Sequence, residues 1–438
     1  MTANAPAAPT PLDELDSGPR LRPRFLAPFL VASLGLWIAI VAPLLISVPL
    51  KVKLLDTHPS TQGITLSLVL GIGALFGIIA NPIAGRISDR TTWRMGMRRP
   101  WLIVGAIVTL LGSIILAFTT TIPLAVLGWS IYQIGVNATM SVLLSLMPDH
   151  VPARRRGQVS GLFGFTQALA GIIGVVTVGS LSQVFLPGAI LLPGVLALVL
   201  IVVAALVLRD RVLSRDQRPA FDLRAFVGSF WVSPRRHPDF GWAWINRFLL
   251  LTSVSLVLNY QIFYLTSQLK LTTAAATGLL PVAIGIQTLG IVVVSLLLGP
   301  LSDRLRRRKV FVISSTLVVG AGLALIAFAP PSAAGLPFFL AAMAFIGVGQ
   351  GTYLSVDLAL VTEVLPDREK DAAKDLGVFG MATLIPQSFA PAIAPAFLVI
   401  PFLSLTGLAG QNYTALFAAG VVVAVLAALS ILRVKGAR

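Results

Sequence analysis

A chain of 438 residues with 33 Lys and Arg against 17 Asp and Glu carries a net charge of +16, yet 56% of it is hydrophobic and only 11% is charged. That fraction lies outside the range of water-soluble domains, and because the basic residues flank apolar blocks the positive charge argues for topology rather than nucleic-acid binding. With no cysteine, and with His58, His150 and His237 all between apolar blocks, the sequence excludes disulfides and thiolate sites and offers no histidine cluster for a metal or for catalysis.

Residues 1–24 begin rich in Ala, Pro and acid, lack the basic-then-apolar order of a signal peptide, and read as a disordered cytoplasmic tail. Twelve apolar stretches of about 20 or more residues follow, the length that crosses a hydrocarbon core. They run 25–50, 62–87, 100–119, 122–147, 159–183, 188–208, 242–268, 276–301, 309–329, 336–364, 374–400 and 411–433. The long charged gap 209–241, with Pro219, Pro234 and Pro238, separates a six-span half (25–208) from a second (242–433). Within it, 221–231 has the pattern of a short amphipathic helix lying on the inner leaflet. Arg247 is counted with the flank of this gap.

Of the 33 basic residues only Lys51, Lys53 and Lys270 fall in odd-numbered gaps. The positive-inside rule therefore places both termini and every even gap in the cytoplasm, as in a multi-pass protein of the cytoplasmic membrane. The fold class expected is all-α and integral to the membrane, with twelve helices in two pseudo-symmetric halves. A monomer suffices for it.

The halves repeat. Gly85-Arg86-Ile87-Ser88-Asp89-Arg90 closes span 2, and Gly299-Pro300-Leu301-Ser302-Asp303-Arg304 closes span 8, 214 residues on. Leu146-Met147-Pro148-Asp149 after span 4 returns as Val364-Leu365-Pro366-Asp367 after span 10, 218 residues on. Two motifs at nearly one offset indicate an internal duplication.

The first loop continues Thr91-Thr92-Trp93-Arg94-Met95-Gly96-Met97-Arg98-Arg99-Pro100 and resembles the signature loop of the major facilitator superfamily. Its longer spacing before Arg-Arg-Pro is similar to that of the glycoside–pentoside–hexuronide symporters and the related sucrose transporters, as are the stretch from Val356 to Asp367 and Pro386-Gln387-Ser388 with Pro391. The resemblance implies a major-facilitator fold and a gate at the cytoplasmic rim. Gly85 would let helices approach, and Asp89 would point at the N-terminus of span 11 near Asp375 to Gly377, where unpaired N–H groups favour an anion. By pseudo-symmetry Asp303, with Arg304, would face the start of span 5. Arg90, Arg98, Arg99, Asp149, Glu363 and Asp367 would add ion pairs across the rim.

Polar residues inside apolar spans mark a candidate substrate site, because an unpartnered one in lipid costs several kcal/mol. These are Tyr132, Gln133 and Asn137 in span 4, Gln167 in span 5, Asn259, Gln261 and Tyr264 in span 7, Gln287 in span 8, Gln350 and Tyr353 in span 10 and Gln387 in span 11. Amides and aromatic rings suit a neutral polyhydroxylated solute, since amides exchange hydrogen bonds with hydroxyls and rings stack on C–H faces. A charged substrate would call for a buried counter-charge, of which the spans hold almost none.

Asp357 is the one carboxylate well inside a span, about 9 Å from the middle of span 10 by helix rise. It has two readings: the proton-coupling acid, or half of a structural ion pair with Arg90 or another cytoplasmic arginine. The sodium-coupled glycoside symporters carry acids inside spans 2 and 4; their absence here points to proton coupling or uniport. No Gly-x-x-x-x-Gly-Lys-Ser/Thr loop is present, so transport would be driven by a gradient, with no cofactor and no enzymatic activity. The function expected is proton-coupled import of a sugar or glycoside by alternating access. The competing reading is a proton-driven exporter of drugs or metabolites; span 4 lacks the Arg, and span 5 the Pro, that such exporters carry.

Overall fold

A computed structural model describes residues 23–152, 155–214, 232–305, 307–364, 372–402, 404–408 and 410–435. Tail residues 1–22, the segment 221–231 and Asp367 lie outside the described residues, as do the side chains of Asp303 and Glu363. The spans are α1 (Phe25–Leu55), α2 (Pro59–Asp89), α3 (Arg99–Phe118), α4 (Ile122–His150), α5 (Arg156–Ser182), α6 (Leu186–Val207), α7 (Pro238–Gln268), α8 (Thr273–Leu305), α9 (Arg308–Ala327), α10 (Leu336–Val364), α11 (Ala372–Leu398) and α12 (Tyr413–Ile431). All twelve are long and apolar enough to cross a bilayer. Helices are the form such segments must take, because hydrocarbon offers backbone N–H and C=O groups no partner outside the segment itself.

Most ends fall within a few residues of the sequence expectation, and two of the differences involve charges. α1 runs on past residue 50 because Lys51 is buried and its Nζ donates to the Ala117 carbonyl, 2.9 Å away at the end of α3. Unpaired carbonyls and the helix dipole favour a cation there. α7 begins at Pro238, so Arg247 sits inside a span rather than on the flank of the linker.

The halves pack alike. α1 lies against α5 and α6, α2 and α3 against α4, and α3 against α6; correspondingly α7 lies against α11 and α12, α8 and α9 against α10, and α9 against α12. Small residues set these distances: Gly105 of α3 abuts Thr139 of α4, and Gly347 of α10 abuts the Gln287 backbone of α8. Each half also has a π turn in its first span, Pro43–Ser47 within α1 and Tyr264–Gln268 at the end of α7. There an N–H reaches five residues back, Val48 to Pro43 and Leu269 to Tyr264.

Between the halves, α2 meets α11 and α5 meets α8. These contacts gather at the end opposite the termini. Gly71 faces Ala392, Gly63 faces Leu398 and Gly410 lies against the Ser60 carbonyl, while Gly171 faces Ile284 and Gly179 the Thr277 carbonyl. The Ser67 and Tyr260 hydroxyls hydrogen-bond at 2.5 Å, and Lys53 Nζ donates to Thr273 Oγ1 at 3.1 Å. Toward the termini the halves part. Gly164 shares the α5 face of Gly171, about two turns away, yet no heavy atom lies within 4 Å of where its Cβ would stand, and Gly380 of α11 is equally open.

The turn between α1 and α2 is held by Asp56. Its Oδ1 accepts from the His58 N–H at 3.1 Å and from Thr61 Oγ1 at 2.8 Å, and its Oδ2 from Thr65 Oγ1 at 2.6 Å. Burial alone would raise its pKa, but the hydrogen bonds from Thr65, Thr61 and His58 outweigh it and hold the carboxyl below its usual range. A lowered folded-state pKa stabilises the fold above the unfolded pKa, and this is lost as pH falls through the folded value.

Two outcomes are expected. Asp56→Asn lowers stability at neutral pH by about 1–3 kcal/mol, the cost of losing charge-assisted hydrogen bonds. It also flattens the fall in unfolding temperature that the wild type shows below about pH 4, read by thermal unfolding in detergent from pH 3 to 8. Gly410→Ala is strained twice, because φ is +65° to +70° in this loop's glycines and its Cβ would strike the Ser60 carbonyl. The variant opens the closed end, which faster maleimide labelling of a cysteine placed at Leu398 registers; the natural sequence has no cysteine to interfere.

Candidate functional site

Where the halves part, a cavity of about 150 Å³ lies between them. Its walls come from α1 (Trp37, Ile40, Leu44), α2 (Leu70, Ala74, Ile78), α4 (Trp129, Gln133, Asn137, Met140), α5 (Gln167) and α11 (Thr383, Gln387). Gln133 and Asn137, one turn apart, share an α4 face; Asn137 Nδ2 donates to the Gln133 carbonyl at 2.9 Å. α2 can approach them only because it presents no side chain there: a Cβ at Gly77 would run into the Asn137 amide, and one at Gly73 into the Trp129 indole. The buried indole N–H groups of Trp37 and Trp129 have no partner among the described residues. Both are donors set in a largely apolar wall.

Of the residues singled out in the sequence, Gln133, Asn137, Gln167 and Gln387 line this cavity. The rest do not. Tyr132 stacks on Trp129, with centroids 5.1 Å apart, and its hydroxyl donates to the Ala39 carbonyl at 2.6 Å, which turns it into the seam between α1 and α4. Tyr264 donates to the Ile326 carbonyl at 3.2 Å and packs edge-on against Phe417 and Tyr413 in the core of the second half. Asn259 and Gln261 are buried in the same half. Gln287 donates to Gln350 at 2.7 Å, tying α8 to α10, and Tyr353 is buried one turn before Asp357. Shared helix faces and polarity do not tell a cavity wall from an interhelical seam. Trp37, Trp129 and Thr383 escaped the sequence reading; the two tryptophans stand in mid-span, away from the interfaces where Trp usually sits, and that was their one signal.

Asp357 is buried, and its partner is an arginine of the side read as cytoplasmic, Arg247, and not Arg90. Nη1 of Arg247 lies 2.5 Å from Asp357 Oδ2. The same guanidinium donates through Nε to Thr383 Oγ1 at 2.9 Å and sits over the Phe379 ring, 4.7 Å from its centroid. The second half therefore holds, inside a span, a partly buried counter-charge that the sequence placed on the flank of the linker. Thr383 both receives Arg247 and lines the cavity, so a chain of contacts runs from the carboxylate to the cavity wall.

At the end bearing the termini, Arg98 gathers the acids of its own half. Its Nη1 lies 2.5 Å from Asp89 Oδ1 and its Nε 3.0 Å from Asp149 Oδ2. Asp210 accepts from the backbone N–H groups of Arg98 and Arg99, and the Arg99 side chain donates to the Ala205 and Leu206 carbonyls. In this conformation Asp89 thus pairs within its half. The left-handed turn at Gly96 (φ +104°) packs on Asp210, folding the loop back so that Arg98 lies beneath Asp89. Gly85 abuts Ser141 of α4, a close approach at this rim.

Breaking the buried pair leaves an uncompensated charge. Arg247→Gln and Asp357→Asn are each expected to cost about 3–5 kcal/mol, whereas the double variant recovers most of the loss. Unfolding temperatures of the three variants in detergent check this through a double-mutant cycle.

The comparisons with known proteins agree with this architecture. The profile of the Major Facilitator Superfamily matches residues 25–287 and 267–437. The glucose transporter GlcP of Staphylococcus epidermidis is 22% identical over 397 residues, which is 81% of this chain and 85% of that protein. The sucrose transport protein SUT5 of Oryza sativa subsp. indica is 36% identical, but over 76 residues, so the chain spans only 14% of that relative's length and 17% of its own. A solved structure of a mutant nucleoside transporter NupG superposes with a TM-score of 0.71 at 13% identity, covering 93% of this chain and 99% of that one. With its profile matched from the first span to the last, the chain belongs to the major facilitator superfamily.

Proposed function

We propose that the protein is a proton-coupled importer of a neutral polyhydroxylated solute, a sugar or glycoside, working by alternating access. The observation that carries this reading is the cavity wall: amides of Gln133, Asn137, Gln167 and Gln387, the Thr383 hydroxyl and two indole N–H donors, with no charged side chain among the lining residues. Hydroxyls accept from the indoles and exchange donors with the amides, and the Trp37 ring offers a face for C–H stacking. The sugar transporters among the relatives support the substrate class.

The arginine-rich end, which the positive-inside rule assigns to the cytoplasm, is the end toward which the halves part. The described conformation is then inward-open. On this reading Arg98 holds Asp89 and Asp149 while the gate is open, and Asp89 exchanges partners when the halves close. Asp357 takes the coupling role: protonation removes its hold on Arg247, and Arg247 touches the cavity through Thr383. A proton and a solute hydroxyl would thereby act on one guanidinium. Carrying a buried ionisable pair through a membrane span is costly unless it works, which favours this role.

The test is uptake of a radiolabelled mono- and disaccharide panel into proteoliposomes, with and without an inward proton gradient. The expected result is gradient-stimulated accumulation of one sugar. Asp357→Asn should reduce uphill accumulation at least tenfold while sparing counterflow exchange; normal accumulation in this variant excludes the coupling role. No sugar uptake in either condition moves the assignment to a proton-driven exporter.

A further inference from the structure

A second cavity lies on the outer surface of the first half, away from the space between the halves. It occupies about 420 Å³ at the end bearing the termini, where α2 gives way to α3, and is lined by Arg86, Arg90, Thr91, Thr92, Trp93 and Trp101. Trp93 is 55% exposed and stacks on Trp101 with centroids 6.3 Å apart. Trp101 is fixed in turn by its Nε1 donating to Thr91 Oγ1 at 2.7 Å. Exposed tryptophan at a helix end marks the depth of the headgroups. Asp89, between the two arginines in sequence, is engaged by Arg98.

This cavity is continuous with an apolar groove of about 310 Å³ between α2, α3 and α4, for Ile87 and Trp101 line both. Small residues keep the groove open, among them Ala80 and Ala84 on α2, Gly105 on α3 and Ala138 on α4. On α2 it runs from Ile87 back to Phe76. Eleven residues of helix measure about 16 Å, close to half of the roughly 30 Å hydrocarbon core. The groove therefore has the depth of one leaflet, and it starts at the pair of arginines.

We propose that this surface is a binding site for an anionic phospholipid of the arginine-side leaflet. Its phosphate would lie between Arg86 and Arg90 with the Thr92 hydroxyl as a further donor, its glycerol against Trp93 and Trp101, and one acyl chain in the groove. Guanidinium groups match phosphate oxygens in charge and geometry, and two basic side chains at the surface favour an anionic over a zwitterionic headgroup by about tenfold or more. The lipid would bear on the loop that holds Asp89 and Arg98, which joins α2 to α3.

The test uses the purified full chain in detergent, stripped of lipid and titrated with phosphatidylglycerol or phosphatidylcholine of matched chains, with bound lipid counted by native mass spectrometry. The wild type is expected to prefer phosphatidylglycerol by about tenfold. The double variant R86Q/R90Q should bring the two lipids to near parity, and A80L, which fills the groove without touching a charge, should weaken both. Equal binding by the wild type overturns the proposal, as does a preference that survives R86Q/R90Q. Glycerophosphoglycerol, the same headgroup without chains, separates the sources on the wild type alone: competition as strong as that of the whole lipid identifies a free-phosphate site and rejects the lipid.

Discussion

The requirement that every polar group inside hydrocarbon find a partner shapes this protein at each level. It makes all twelve spans helical and pairs Arg247 with Asp357 inside the second half. It also explains why Lys51, a residue that reads as a boundary, sits buried: the open carbonyls at the end of α3 accept it. Polar side chains that find partners in seams, such as Tyr132, Tyr264 and the Gln287–Gln350 pair, spend their hydrogen bonds on holding helices together. Gln133, Asn137, Gln167 and Gln387 face the space between the halves instead.

Close helix contact is the second shaping factor, since helices in lipid associate through packing and hydrogen bonds rather than through hydrophobic exclusion from water. Glycine does this work in three places with three outcomes. At Gly105 and Gly347 it fuses helices within a half; at Gly63, Gly71 and Gly410 it lets the halves meet; at Gly73 and Gly77 it admits Trp129 and Asn137 to the cavity wall. The first kind of contact sits within a half and the second between halves, so separating the halves at one end leaves each half intact. That division is the one that the proposed alternating access requires.

The charges divide in the same way. Arg98 draws Asp89 and Asp149 into one half, and Arg247 with Asp357 belongs to the other. Neither cluster bridges the halves in this conformation: Asp89 stands at the rim that bears the termini, and Arg247 beside Thr383 on the cavity wall.

The amino-acid sequence by itself determined the number of spans, the twofold repeat and the asymmetry of charge between the two ends, because hydrocarbon thickness and the distribution of Lys and Arg act on local stretches of chain. It also picked out Gln133, Asn137, Gln167 and Gln387, since amides are conspicuous in apolar helices. Tertiary structure decided the rest. Whether an amide on a helix faces a cavity or a neighbouring helix depends on which helix stands opposite, and so Asn259, Gln261 and Tyr264 went to the core while Trp37 and Trp129 came to the cavity. The partner of Asp357 is 110 residues away in the chain, and in this conformation the turn at Gly96 gives Asp89 an arginine of its own loop. Pairings of that kind are set by how helices are placed in space, which no local pattern of residues records.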